Sequence, residues 1–290
     1  MEALKMAYLI GFCMSIMISG IAWYKKSLTT SGAIAATVLG GLVFGAGVPS
    51  LTIALVAFFV SSSVLSKLSQ WMGGAQIAQV EQRLSKTGRR DYTQVLANSG
   101  AALMCLIMLI LTRNPIYEVA GVISFAAANA DTWASEIGVL SHQKPVNLIS
   151  RKPTDKGISG GVTVLGLVAS ALGSGFIAVA FICIHWALNC VAPIALFVSP
   201  VLNPIYPTQK LLIFGVIISV AGFLGSICDS VLGELWQVKY VEVESNRVTE
   251  RTKDVKVTYL KGVRWLDNNL VNFISNAIVT LLGLLVSGLV

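Results

Sequence analysis

Four carboxylates lie at the closing ends of two apolar runs, where an ionised group is costly enough to be a functional hypothesis by default. Asn129-Ala-Asp131-Thr-Trp-Ala-Ser135-Glu136 closes one run, and Gly225-Ser-Ile-Cys-Asp229-Ser230-Val-Leu-Gly-Glu234 closes another. Both carry Asp, a hydroxyl residue and then Glu at the same spacing. That step turns about 140° around a straight helix, so one carboxylate of each pair can face a common site while the other faces away. Asp131 and Asp229 are expected inward, with Asn129 and Glu136 completing the site. Carboxylates, an amide and hydroxyls are hard oxygen donors, the set that suits Mg²⁺ better than zinc. The competing role for each group is to cap a helix end or pair with a nearby lysine.

A second group has the chemistry of a phosphate site. Arg151-Lys152-Pro-Thr-Asp-Lys156-Gly157-Ile-Ser159-Gly160-Gly161-Val-Thr163 runs straight into an apolar segment. Glycines at a helix start let backbone N–H groups approach an anion, and the helix dipole favours negative charge there. It is not a Walker A sequence; the alternative is an ordinary basic loop followed by a glycine packing face. Further polar groups flank other runs. Arg89 and Arg90 precede Gln94 and Asn98, which lie one helical turn apart. Asp267, Asn268, Asn269 and Asn272 open the last run, where Asp267 or Asn268 can equally serve as an N-cap.

The elements that position these residues are membrane helices. The chain of 290 residues is 55% hydrophobic and 12% charged, about half the charge of a soluble domain. Its mean hydropathy of +0.76 leaves too little polar surface for a water-soluble globule. The expected fold is all-α, a polytopic transmembrane bundle of about eight spans (seven to nine) at 6–24, 30–48, 50–67, 95–112, 116–139, 158–182, 211–231 and 268–289. The whole chain, 1–290, reads as one integral membrane domain. It carries a basic loop at 68–94 and an alternating insertion at 238–264 that suggests a small β-hairpin. Prolines at 200, 204 and 207 argue against an uninterrupted helix in 183–210.

With eight spans, every Lys and Arg except Lys5, Arg113 and Lys210 falls in loops on one side. By the positive-inside rule that side is cytoplasmic and both termini are outside, which places the active face at the cytoplasmic surface of the cell membrane. This asymmetry accounts for the net charge of +7 without a nucleic-acid partner. The five cysteines are isolated in apolar stretches, and no CxxC argues for zinc or a disulfide framework.

The segments GRRDYTQVLAN (88–98), NADTWASEIG (129–138), KGISGGVT (156–163), GSICDSVLGELWQ (225–237) and RWLDNNLVNFIS (264–275) resemble, in order, the integral membrane family that includes transmembrane protein 19 and the plant phytyl-phosphate kinase. The paired cysteines that relatives often carry before the last motif are missing from 238–264. The resemblance implies a membrane kinase transferring a phosphoryl group from CTP or ATP to an isoprenyl or polyprenyl monophosphate. In that reading Asp131 and Asp229, with Glu136 and Asn129, hold Mg²⁺. Arg151, Lys152, Lys156, Gly157, Ser159, Gly160, Gly161 and Thr163 bind donor phosphates, with Lys156 at the reacting centre. Arg89 and Arg90 hold the acceptor phosphate. Gln94, Asn98, Ser230, Glu234, Asp267, Asn268, Asn269 and Asn272 give support. The alternatives are a transporter or scramblase of lipid or small anions, a cytidylyltransferase making a CDP-lipid, and a scaffold with a degenerate site.

Overall fold

A computed structural model describes residues 2–83, 89–190, 206–250, 252 and 255–290. These form eight helices: α1 (Glu2–Tyr24), α2 (Thr30–Gly45), α3 (Pro49–Arg83), α4 (Tyr92–Thr112), α5 (Ile116–Gly138), α6 (Val164–Cys190), α7 (Thr208–Leu235) and α8 (Asn268–Ser287). Five short strands accompany them: β1 (Val146–Asn147), β2 (Gly161–Val162), β3 (Lys239–Glu242), β4 (Val248–Thr249) and β5 (Val257–Lys261). Six helices are long and apolar enough to cross a bilayer; α2 is apolar but shorter. Leu9, Val64, Leu111, Leu172, Val216 and Leu285 are among the large apolar side chains left exposed on the helices. In water such a surface would aggregate; against lipid it is the expected exterior. The chain is a polytopic helical membrane protein.

Local signals start and stop the helices. The Thr29 side chain caps α2 by accepting from Gly32 N–H at 3.1 Å. Asp91 and Gln94 form a reciprocal capping box at the start of α4, and Arg113 ends that helix in the left-handed conformation. Asp267 caps α8 through Leu270 N–H.

The central element is α5, which packs on α3, α4, α6, α7 and α8. From Glu118 to Ala130 every residue is buried. Its carboxylates and amide make it less apolar than the spanning helices around it, yet those helices shield it from lipid. Alanines at 126, 127, 128 and 130 let those helices approach.

Three expectations change. Residues 68–83, expected as the start of a basic loop, continue α3 as helix. The helix-forming run Gln70-Trp-Met, with Ala75-Gln-Ile-Ala-Gln-Val-Glu-Gln after it, has no proline to stop it. The expected hairpin in 238–264 is a three-stranded sheet in the order β4-β3-β5, with β3 paired antiparallel to both neighbours. In 183–210, α6 continues to Cys190 and α7 begins at Thr208; residues 191–205 lie outside the described part.

Candidate functional site

The α5–α7 crossing brings the two aspartates together. Gly222 and Gly225 of α7 press on Ala126 and Ala127 of α5; a Cβ on Gly225 would lie 2.5 Å from the Ala127 Cβ. One turn further along each helix stand Asp131 and Asp229, both half-buried. A cavity of about 250 Å³ opens above this crossing, and both aspartates line it. Asp229 Oδ2 accepts from Ser275 Oγ at 3.1 Å. The Asn272 amide, oriented with its nitrogen toward Asp229, donates to the same oxygen at 2.9 Å and to the Asn268 carbonyl at 3.0 Å. Donors on α8 thus fix one aspartate.

Glu136 lines the same cavity from the α3 side. Its two oxygens accept from Ser66 Oγ at 2.5 Å and Ser69 Oγ at 2.6 Å. The half-turn offset from Asp131 therefore points it at α3, while both remain on the cavity wall. Arg90 completes that wall. Its backbone is pinned by Thr29 N–H, 3.0 Å from the Arg90 carbonyl, and by its own N–H to the Ser27 carbonyl at 3.0 Å. Its side chain donates to Ser62 Oγ at 3.0 Å and lies over the Phe58 ring at 5.8 Å. Burial lowers the Arg90 pKa from its ordinary value and the Glu136 charge opposes that; a guanidinium stays cationic regardless.

The loop from α5 to α6 forms the opposite wall. Gly157 and Gly160 take φ of +85° and +88°, which L side chains rarely adopt. A Cβ on Gly160 would also lie 2.6 Å from the Glu234 Cβ. Thr163 caps α6 by accepting from Gly166 N–H at 3.0 Å. Lys156 lines the cavity, but its Nζ donates to the carbonyls of Val139 at 3.1 Å and Ser141 at 2.5 Å. It thereby neutralises the negative end of α5. Ser159 N–H donates to Glu250 Oε1 at 2.8 Å.

The small sheet is clamped to this turn. Lys239, almost fully buried, donates to Glu234 Oε2 at 2.6 Å and to the Ser159 carbonyl at 2.7 Å. Lys261 pairs with the other Glu234 oxygen.

The structure brings together on the cavity wall Asp131, Asp229, Glu136 and Ser230, and with them Lys156, Gly157, Ser159, Gly160, Gly161 and Thr163. Arg90, Gln94, Asn98, Asn268, Asn269 and Asn272 also face it. Other candidates stand elsewhere. Asn129 is fully buried below the cavity, bridging Ser61 Oγ at 2.9 Å and the Gly173 carbonyl at 2.8 Å, so its amide ties α3 to α6. Arg151, Lys152 and Arg89 are exposed and do not line the cavity, nor do Glu234, bound by its lysines, and Asp267, the cap of α8.

Glu250 and Ser66 were missed by the sequence reading, since neither stands in a motif. So was a second polar cluster at the far end of α5. There Glu118, fully buried, accepts from Ser50 Oγ, from Tyr206 Oη at 3.1 Å, and pairs with His185 Nε2 at 2.9 Å. A lone Glu near the start of a span was the available signal.

Among the described residues no three His, Cys, Asp or Glu side chains converge as a metal cage. Two aspartates with hydroxyl and amide neighbours fit a cation that takes its remaining oxygens from phosphate and water, the habit of Mg²⁺.

The family described as integral membrane protein DUF92 matches residues 13–280. Protein PGR of Arabidopsis thaliana is 32% identical over 276 residues, covering 90% of this chain and 89% of its own. An uncharacterized membrane protein of Methanocaldococcus jannaschii is 31% identical over 180 residues, 60% of this chain and 71% of its own. Protein VTE6, chloroplastic, of Arabidopsis thaliana is 22% identical over 276 residues, 93% of this chain and 68% of its own. No solved structure matches.

Proposed function

From the premise that the chain belongs to the DUF92 family of integral membrane proteins, we propose that it is a membrane kinase carrying a phosphoryl group from CTP or ATP to an isoprenyl or polyprenyl monophosphate. One observation carries the reading: Asp131 and Asp229, from separate helices, line one cavity with the glycine turn that opens α6. The resemblance to the phytyl-phosphate kinases supplies the substrate class.

Asp131 and Asp229 would hold Mg²⁺, with Ser230 close by. Bound Mg²⁺ would neutralise charge on the donor's phosphates. The Gly157–Gly161 turn and the positive end of α6 receive those phosphates, and Lys156 adds its charge while bracing α5. Arg90 holds the acceptor phosphate. An oxygen of that dianion attacks the terminal phosphorus of the donor, the bond to the bridging oxygen breaks, and nucleoside diphosphate leaves. A phosphate nucleophile needs no proton removed, so no general base is required. The cavity face is cytoplasmic, where nucleotide is available; basic loops at that face support this orientation.

Purified protein given labelled CTP or ATP and isoprenyl monophosphates should turn over in the presence of Mg²⁺. Asp131→Asn and Asp229→Asn should each lower kcat roughly 100-fold or more. Undiminished turnover in either variant would sink the reading. Release of pyrophosphate instead of nucleoside diphosphate would identify a CDP-lipid synthase.

One observation favours a transport reading. The Glu118–His185–Tyr206 cluster places buried polar groups at the far end of the helix that carries Asp131. Flux of lipid phosphate through proteoliposomes without nucleotide would favour it over the kinase.

A further inference from the structure

A second cavity adjoins the polar one and differs from it in chemistry. It measures about 70 Å³ and lies between α1, α2, α3 and α4. Hydrocarbon lines it: Leu39, Phe44, Leu55, Val56, Phe58 and Val95. The two hydroxyls that α1 contributes are turned to other work. Ser15 Oγ donates to the Thr37 carbonyl at 2.9 Å and Ser19 Oγ shares a hydrogen bond with Thr37 Oγ1 at 2.5 Å, so they stitch α1 to α2 and present little polarity inward. Arg90, Gln94 and Asn98 line both cavities. The Arg90 guanidinium lies over the Phe58 ring at 5.8 Å and donates to Ser62 Oγ at 3.0 Å. A cation at the border of a polar and an apolar chamber is matched by one kind of molecule, a phosphate attached directly to hydrocarbon.

Resting on the kinase reading, we propose that this apolar cavity receives the first carbons of the acceptor's tail while Arg90 holds its phosphate. The size sets the chemistry. A dry cavity of about 150 Å³ takes one benzene ring, so this one takes a few carbons of a single chain. The rest of the tail runs out among the lipid-facing helices. The site therefore selects a single-chain phosphate monoester and rejects a phosphate joined to a two-chain glycerol backbone, which is too bulky for a cavity of about 70 Å³.

The test uses the full-length protein in lipid nanodiscs, with farnesyl monophosphate and dioleoyl phosphatidate as probes. Wild type should bind farnesyl monophosphate at least tenfold more tightly than phosphatidate. Val56→Phe, which fills the cavity, should weaken farnesyl monophosphate binding about tenfold, and Ala36→Leu should do the same from the α2 wall. Val56→Ala, which enlarges it, should not. Thermal stabilisation by Mg²⁺ and CTP or ATP, which reads the polar cavity alone, should persist in all three and certifies that each is folded. Equal affinity for the two lipids, or unchanged farnesyl monophosphate binding in both filled variants with nucleotide stabilisation intact, overturns the tail site and leaves the kinase reading standing. Absence of nucleotide stabilisation in wild type overturns the kinase reading and this proposal with it.

Discussion

At the scale of single residues, hydrogen-bond partners separate groups that hold the fold from groups available to a ligand. Asn129 spends its amide on Ser61 and the Gly173 carbonyl, inside the bundle. Removing either partner would leave a buried polar atom unsatisfied, which explains an amide there without any ligand. Arg90 has the opposite character: a cation on the cavity wall whose contact with the Phe58 ring and side-chain hydrogen bond to Ser62 leave donors of its five-donor fork for a phosphate. Arg90→Gln should raise KM for the lipid monophosphate about tenfold or more, the scale of one charge-assisted hydrogen bond. KM for nucleotide should change little. Equal rises in both, read from steady-state kinetics with each substrate varied in turn, would remove Arg90 from the acceptor site.

At the scale of elements, the site exists because three interfaces are held at fixed distances. The glycine–alanine contact between α5 and α7 brings two backbones close enough for Asp131 and Asp229 to share a cavity. A larger residue at Gly225 would push the helices apart. The second interface is the small sheet against the glycine turn, held by Glu234 between Lys239 and Lys261. Lys239 is almost fully buried, so loss of its partner leaves an uncompensated charge. Glu234→Ala should therefore cost about 3 kcal/mol of stability, measured by thermal unfolding in detergent. A variant as stable as wild type would show that the sheet docks by other contacts. The third is the union of α8 with α4, where Asn269 donates to Thr93 Oγ1 at 2.9 Å. Thr93 in turn donates to the capping Asp91 at 2.6 Å, joining two helix starts at the cavity rim.

At the scale of the whole molecule, a lipid-facing exterior surrounds one polar helix. Membrane proteins ordinarily avoid carboxylates in spans, and α5 carries Glu118, Asp131 and Glu136 because neighbours cover it along most of its length. The cavity is at the end of the bundle where α5 closes, and Gly288 near the C-terminus packs by Ile116, where α5 begins, at the other end. The orientation makes a prediction. In intact cells, Leu289→Cys near the C-terminus should react with a membrane-impermeant maleimide. Ser245→Cys, in the turn between β3 and β4, should react only after permeabilisation. The reverse pattern would put the cavity on the side without nucleotide and dismiss the kinase.

The sequence by itself determined the membrane bundle, because apolar length and charge asymmetry follow from composition and the bilayer needs no knowledge of which helix touches which. It also marked Asp131, Asp229 and the turn at 156–161, since ionisable groups and glycines at span ends stand out against hydrocarbon. It could not decide which polar residue faces the cavity. Asn129 and Asp131 differ by less than a turn, yet one ties two helices and the other lines the cavity. Glu234 repeats the spacing of Glu136 and is drawn instead to lysines that come from strands folded back over it. Helix rotation and strand pairing join residues distant in the chain, and those contacts are a property of the packed molecule.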